Sequence, residues 1–158
     1  MRKKDGALNL RYAKMMEQKG TCLARMDNHS DALISYAEAL KIFKSVHGSF
    51  HLSVKNVLLD IGVCYNSLGK GSKARKCLQE ASKITKHFYG DDHIDLVDIQ
   101  FQKGVSYRIE MKFNEAIKCF NNCISLRRIH CENSVQLAEL FEMVGDTVSK
   151  NATFEFAY

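Results

Sequence analysis

At 158 residues, with no proline or tryptophan, 46% hydrophobic and 26% charged residues, the chain is long enough for one domain and too apolar for global disorder. No apolar run reaches the ~18 residues of a spanning helix, and the basic start Met1-Arg2-Lys3-Lys4 leads into Asp5-Gly6 rather than a signal-peptide core. The net charge of +5 is uneven, because from Glu132 onward five acids (Glu132, Glu139, Glu142, Asp146, Glu155) face one base, Lys150.

In chain order the predicted elements repeat with a period of 42 residues. Gly6, Gly48 and Gly90 share one register, Gly20, Gly62 and Gly104 a second, and Ala32, Ala74 and Ala116 a third. A spacing kept at several independent positions marks a copied structural unit. It predicts a single domain, 1–158, with repeats at about 7–48, 49–90 and 91–132 and a partial repeat at 133–158.

Gly6 takes the register of a glycine that ends a preceding helix. The first unit then runs through Gly20, Leu23, Ala32, Tyr36, Ala39 and Ile42, the second through Gly62, Tyr65, Ala74, Leu78, Ala81 and Ile84, the third through Gly104, Tyr107, Ala116, Phe120, Cys123 and Leu126. A small residue at each close approach and a large one in the adjacent groove is what two packed helices require. In the second unit a first helix is expected over about Phe50 to Leu68, from Val54, Val57, Leu58, Ile61 and Tyr65, and a second over about Ser72 to Phe88. Ser30, Ser72 and Asn114 stand where N-caps of the second helices belong. Gly48 and Gly90 stand where those helices end in left-handed backbone, and Asp92 stands as cap for the next helix, with Asp95 in its first turn. Val135 to Val144 make a seventh helix. Phe154 and Ala157 would open an eighth that stops after one turn.

These registers resemble the tetratricopeptide repeat. The stretches Gly62-Val-Cys-Tyr65-Asn-Ser-Leu-Gly69-Lys70 and Asn114-Glu-Ala116-Ile-Lys-Cys-Phe120 carry the likeness. The long period and the joints Gly48-Ser-Phe-His51 and Gly90-Asp-Asp-His93 are similar to kinesin light chain and nephrocystin-3-like arrays, although Leu52 and Ile94 stand where a proline often follows the histidine. The resemblance implies an all-α, right-handed solenoid of about three and a half repeats with seven main helices. It implies a non-enzymatic scaffold or adaptor that needs no cofactor and holds a protein or peptide partner in its concave groove, in the cytoplasm and in a cytoskeletal or ciliary setting.

In such arrays the first helix of each unit lines the groove. The implied contacts are Lys14, Glu17, Thr21 and Arg25, then Asn56, Leu59, Val63, Asn66 and Ser67, then Asp98, Phe101, Val105 and Arg108, and finally Glu139 and Glu142. Leu59, Val63, Phe101, Val105 and Ile109 form an apolar centre suited to a hydrophobic anchor. Asn56, Asn66 and Arg108 are expected to be exposed, because an unpaired buried polar group costs ~1–3 kcal/mol. Asp98 and Gln102 stand where a carboxylate-binding clamp needs bases, which speaks against that ligand. An alternative role is a structural subunit that packs or self-associates through an open edge at Phe154, Phe156 and Tyr158.

Other clusters are better explained by the repeat. Cys119, Cys123, His130 and Cys131 match no common zinc spacing, and Cys123 takes the small-residue register of Ala39 and Ala81, so no metal is expected. The six cysteines read as reduced thiols. His51 and His93 are repeat-equivalent, which points to a joint rather than to catalysis. The basic groups Lys70, Lys73, Arg75, Lys76, Arg127 and Arg128 lack interleaved aromatics, which argues against nucleic acid, and no membrane partner is implied.

Overall fold

A computed structural model describes the backbone of residues 2–130 and 134–157, and the side chains of 9–130 and 137–153. Seven helices follow one another: α1 (Arg2–Arg25), α2 (His29–His47), α3 (Leu52–Ser67), α4 (Gly71–Tyr89), α5 (Leu96–Ile109), α6 (Phe113–Ile129) and α7 (Ser134–Ala157). Among the described residues there is no strand. Each odd helix packs on the even helix after it, α2 and α4 each pack on the odd helix that follows, and α7 packs on α6. The result is an α-solenoid.

The small–large alternation works inside each hairpin. A Cβ placed on Gly20 would lie 2.7 Å from Cε1 of Tyr36, and one on Gly62 2.8 Å from Cγ of Leu78, while Gly104 is closed off by the Phe120 ring. Ala32, Ala39, Ala74, Ala81, Ala116 and Cys123 are fully buried beside these contacts. Cysteine thus serves as a small core residue, its thiol donating to the Val97 carbonyl at 3.4 Å, and burial pushes that thiol up to about 12.

The turn inside each hairpin also repeats. Asp27, Gly69 and Met111, in one register, have φ of 57°, 70° and 58°. The next residue's N–H reaches back to the helix: Asn28 to the Leu23 carbonyl at 2.9 Å, Lys70 to Tyr65 at 2.8 Å, Lys112 to Tyr107 at 2.9 Å. This pattern lets a left-handed residue satisfy the last carbonyls of the helix. It also corrects the expected N-caps. The caps are Asn28, Lys70 and Lys112, and Ser30, Ser72 and Asn114 lie two residues inside the helices, because the tight turn starts each second helix early. Of the three caps, only Asn28 uses its side chain, accepting from the Asp31 N–H at 3.3 Å. A bulky residue at positive φ costs ~1 kcal/mol or more. Met111→Gly is therefore expected to raise stability by about 0.5 kcal/mol after the entropy of the unfolded glycine is subtracted, read as an upward shift of the chemical denaturation midpoint.

The joints between hairpins are built by histidine. Nδ1 of His51 accepts from the Ser53 N–H at 3.1 Å, and Nδ1 of His93 from the Asp95 N–H at 3.2 Å. Each ring also stacks on the end of the preceding helix, His51 on His47 at 4.1 Å and His93 on Tyr89 at 4.2 Å. Asp92 is thus not the cap that was expected: the N-cap residue of α5 is Asp95, whose own N–H is held by His93. Gly48 and Gly90 do have positive φ, 81° and 88°, but with ψ of 173° and −178°. That is an extended region open to glycine alone rather than the left-handed helical one.

Both ends differ from expectation. Gly6 ends no helix, since α1 runs through it without a break. α7 is one helix that passes through Gly145 and Phe154, so no eighth helix begins. A glycine ends a helix only where the next residues demand a turn, and Gly6 is not followed by a histidine joint like the ones above.

Candidate functional site

The odd helices adjoin across hairpins, α3 touching both α1 and α5. The even helices meet across hairpins through side-chain tips such as Lys44 and Glu80, 2.7 Å apart. The row in closer contact is the inner one, so α1, α3 and α5 form the inner face, with α7 continuing it.

On that face Lys14, Arg25, Asn56, Ser67, Asp98, Glu139 and Glu142 are exposed, and Glu17, Thr21, Leu59, Val63, Phe101, Val105 and Arg108 are half-buried. Thr21 accepts from the Tyr36 hydroxyl at 3.2 Å and donates to the Glu17 carbonyl at 3.1 Å, so it also braces the first hairpin. Phe101 leans on Phe120, ring centroids 5.7 Å apart.

Asn66 departs from expectation, since only 8% of it is exposed. Its Nδ2 donates to the backbone carbonyl of Gln102 at 2.9 Å and to Oε1 of Gln102 at 3.0 Å, and its Oδ1 accepts from the Ser106 hydroxyl at 2.7 Å. The desolvation cost that argued for exposure is removed because the amide is fully paired. Arg108, in the same register, makes the corresponding bracket to α7: it contacts the Met143 sulfur and pairs with Asp146 at 3.2 Å. Asn66 and Arg108 thus join neighbouring inner helices.

The first unit places Ala24 in this register, so its bracket is missing. Asp60, which stands where Gln102 stands one repeat later, lies half-buried without one. Burial first, and the Glu17 carboxylate second, push its pKa up to about 6, with Lys55 opposing. Glu17 is also raised by burial, with Lys14 opposing. Lys55 is itself held by Asp95 at 2.9 Å. Folding raises both carboxyls, so both withhold stability when ionised, and the part due to Asp60 is regained as pH falls through about 6 toward the ordinary carboxylate range.

Between α5 and α7 the inner face opens into a cleft of about 570 Å³, within the usual range for ligand clefts. Val97, Phe101, Leu140 and Met143 supply its apolar lining, and Asp98, Arg108, Arg127, Glu139, Glu142 and Asp146 its polar groups. Five of the expected contacts, Asp98, Phe101, Arg108, Glu139 and Glu142, are thus brought together, while Lys14, Glu17, Thr21 and Arg25 lie on α1 at the far end of the row. Sequence reasoning missed Asp60 and the cleft residues Val97, Leu140 and Met143. The pair Asn66 and Gln102 had one usable signal, polar residues on facing helices with one repeat between their units.

Phe154 and Phe156 lie on α7 with side chains outside the described residues, and Tyr158 lies outside them altogether. Among the described residues no three His, Cys, Asp or Glu side chains gather as metal ligands, and no helix is long and apolar enough to cross a membrane.

A family model for the tetratricopeptide repeat matches residues 11–86 and 56–129. The fold is similar to that of BtubC (BKLC) from P. vanneervenii, with TM-score 0.79 and 16% identity; the match covers 90% of this chain and 57% of that one. It is similar to the nearly identical repeats of a putative kinesin light chain from Podospora anserina, with TM-score 0.77 and 12% identity over 91% of this chain and 69% of that one. The first repeat domain of human RPAP3 follows, with TM-score 0.69 and 14% identity over 93% of this chain and 98% of that one. No curated protein matches the chain by sequence.

Proposed function

Since the chain belongs to the tetratricopeptide repeat family, a fold that generally mediates protein–protein interaction, we propose that it is a scaffold or adaptor that binds a segment of a partner protein along its inner face. The carrying observation is that Leu59, Val63, Phe101 and Val105 stay half-exposed in a row between exposed polar groups. Leu59 and Phe101 rest partly on the core and still present apolar surface, and apolar anchors ringed by polar groups are how interfaces concentrate binding energy. The role is binding rather than catalysis.

Panning random dodecapeptides against the full chain tests this. Selected peptides are expected to lose affinity for L59Q/V105Q and N56K, which alter the inner face, and to keep it for K76E/K83E on the exposed outer face of α4. N56K changes an exposed residue, so its loss is not a folding defect. Equal capture by all variants would overturn the reading.

A second reading, assembly through the last helix, is supported by Phe141 and Val148, 51% and 48% exposed on α7. Light scattering over a range of concentrations decides it, and a concentration-independent monomer removes it.

A further inference from the structure

The chain carries a net charge of +5, yet its inner face gathers acids. Asp98, Glu139 and Glu142 stand exposed at the α5–α7 cleft and make no ion pair among the described residues. Arg108, the base of α5 in that cleft, is already engaged by Asp146, which Lys150 also holds at 2.9 Å. Further along the same face Glu17 lies close enough to disfavour the charge of Asp60, and Asp60 has no hydrogen bond or ion pair among the described residues. The bases of the even helices, among them Lys76, Lys83 and Lys118, are exposed on the opposite side. Arg127 of α6 also lines the cleft, so four carboxylates stand there against two guanidinium groups, and the cleft is negative in a chain that is positive as a whole.

The cleft floor is apolar, with Phe101 half-buried, Leu140 buried and Met143 able to adapt its unbranched side chain to an incoming group. A volume of about 570 Å³ admits a few large side chains and not a folded domain. We propose that the α5–α7 cleft takes a partner segment with an apolar anchor, leucine- or phenylalanine-like, flanked by lysine or arginine. The anchor enters between Phe101 and Leu140, and the flanking cations meet Asp98, Glu139 and Glu142. Like-signed segments are rejected by the same three carboxylates, which is where such a surface gains its specificity. This inference rests on the inner-face reading above and narrows it to one end of the face and one ligand chemistry.

The same dodecapeptide selection tests it. The selected peptides are expected to carry an aliphatic or aromatic residue with Lys or Arg nearby, to bind about tenfold more weakly to E139K/E142K, and to weaken as salt rises. E139K/E142K changes two exposed helix residues, and an unchanged melting curve shows that any loss comes from the cleft. Selection of neutral or acidic peptides, or undiminished binding to E139K/E142K, would overturn the inference. If those peptides still fail on L59Q/V105Q and N56K, the inner-face reading stands without the cleft; if no peptide is enriched at all, both fall.

Discussion

Gly71→Ala is expected to destabilise the fold by about 2 kcal/mol, a fall in Tm of roughly 5 °C for a chain of this size. Its Cβ would lie 2.5 Å from the backbone carbonyl oxygen of Ser106. A backbone atom cannot rotate out of the way, so α4 must move off α5. That movement also strains the Arg75 bracket, in which the guanidinium reaches the Ser106 carbonyl at 3.4 Å and Glu110 at 2.8 Å and lies over the Tyr107 ring at 4.6 Å. The comparison is Gly62→Ala, whose Cβ meets the Leu78 side chain at 2.8 Å. Leu78 can change rotamer, and alanine's helix propensity offsets part of the clash, so the expected loss there is smaller, about 1 kcal/mol. Thermal melts of the two variants side by side check this, and an equal or reversed order would show that the α4–α5 joint is looser than described. The same register holds His29 and Phe113, so this glycine serves one joint and not the repeat in general.

Asn66→Asp is the second large effect, about 2 kcal/mol of lost stability near pH 7. The substitution keeps the shape and keeps an acceptor for the Ser106 hydroxyl. It replaces the amide donor with a carboxylate oxygen facing the Gln102 carbonyl, which has no way to become a donor. The Gln102 side-chain amide can flip to give one N–H back, which limits the loss. The buried carboxyl's folded-state pKa must lie above its unfolded value, so the deficit is present at neutral pH and shrinks as pH falls below the raised value. Asn56→Asp on the exposed face of the same helix is expected to change stability by no more than about 0.5 kcal/mol. Melting both variants at neutral and mildly acidic pH checks the prediction, and a deficit at Asn66 that does not narrow in acid would contradict the buried bracket.

Much of the architecture was legible because the repeat copies packing constraints. Gly20 with Tyr36, Gly62 with Leu78 and Gly104 with Phe120 are contacts between positions of one unit, so their spacing records the geometry directly. Cys123 was legible as a core residue for the same reason. Turn chemistry was less legible. The left-handed position is glycine only once, at Gly69, while Asp27 is a weaker signal for φ of 57° and Met111 gives no compositional hint of its 58°. That hid the tight turn and put the expected caps two residues late. His51 and His93 were recognised as joint residues, yet the capping bond from Nδ1 needs the ring's orientation, which spacing does not specify.

The inner face was legible as a stripe and not as a set of contacts. Periodicity places Asn56 and Asn66 on one side of α3, and only the neighbour decides that Asn56 is free while Asn66 is paired to Gln102 and Ser106. The cleft depends on α7 lying against α6 rather than against α5, a relation between helices that no single repeat encodes. The expected break in α7 rested on extending the period by one shortened unit. Instead α7 runs through Gly145 to Ala157, and none of its described residues takes the positive φ that Asp27, Gly69 and Met111 adopt at the turns inside the hairpins.

Methyl NMR during titration with a selected peptide tests the central claim most directly, since branched methyl groups lie on both faces of the solenoid. The account predicts the largest shifts at Leu59, Val63, Val105 and Leu140 on the inner helices, with Ile34 and Val46 on α2 and Ile129 on α6 unmoved. Largest shifts at Ile34, Val46 and Ile129, with the inner methyls unmoved, would contradict it.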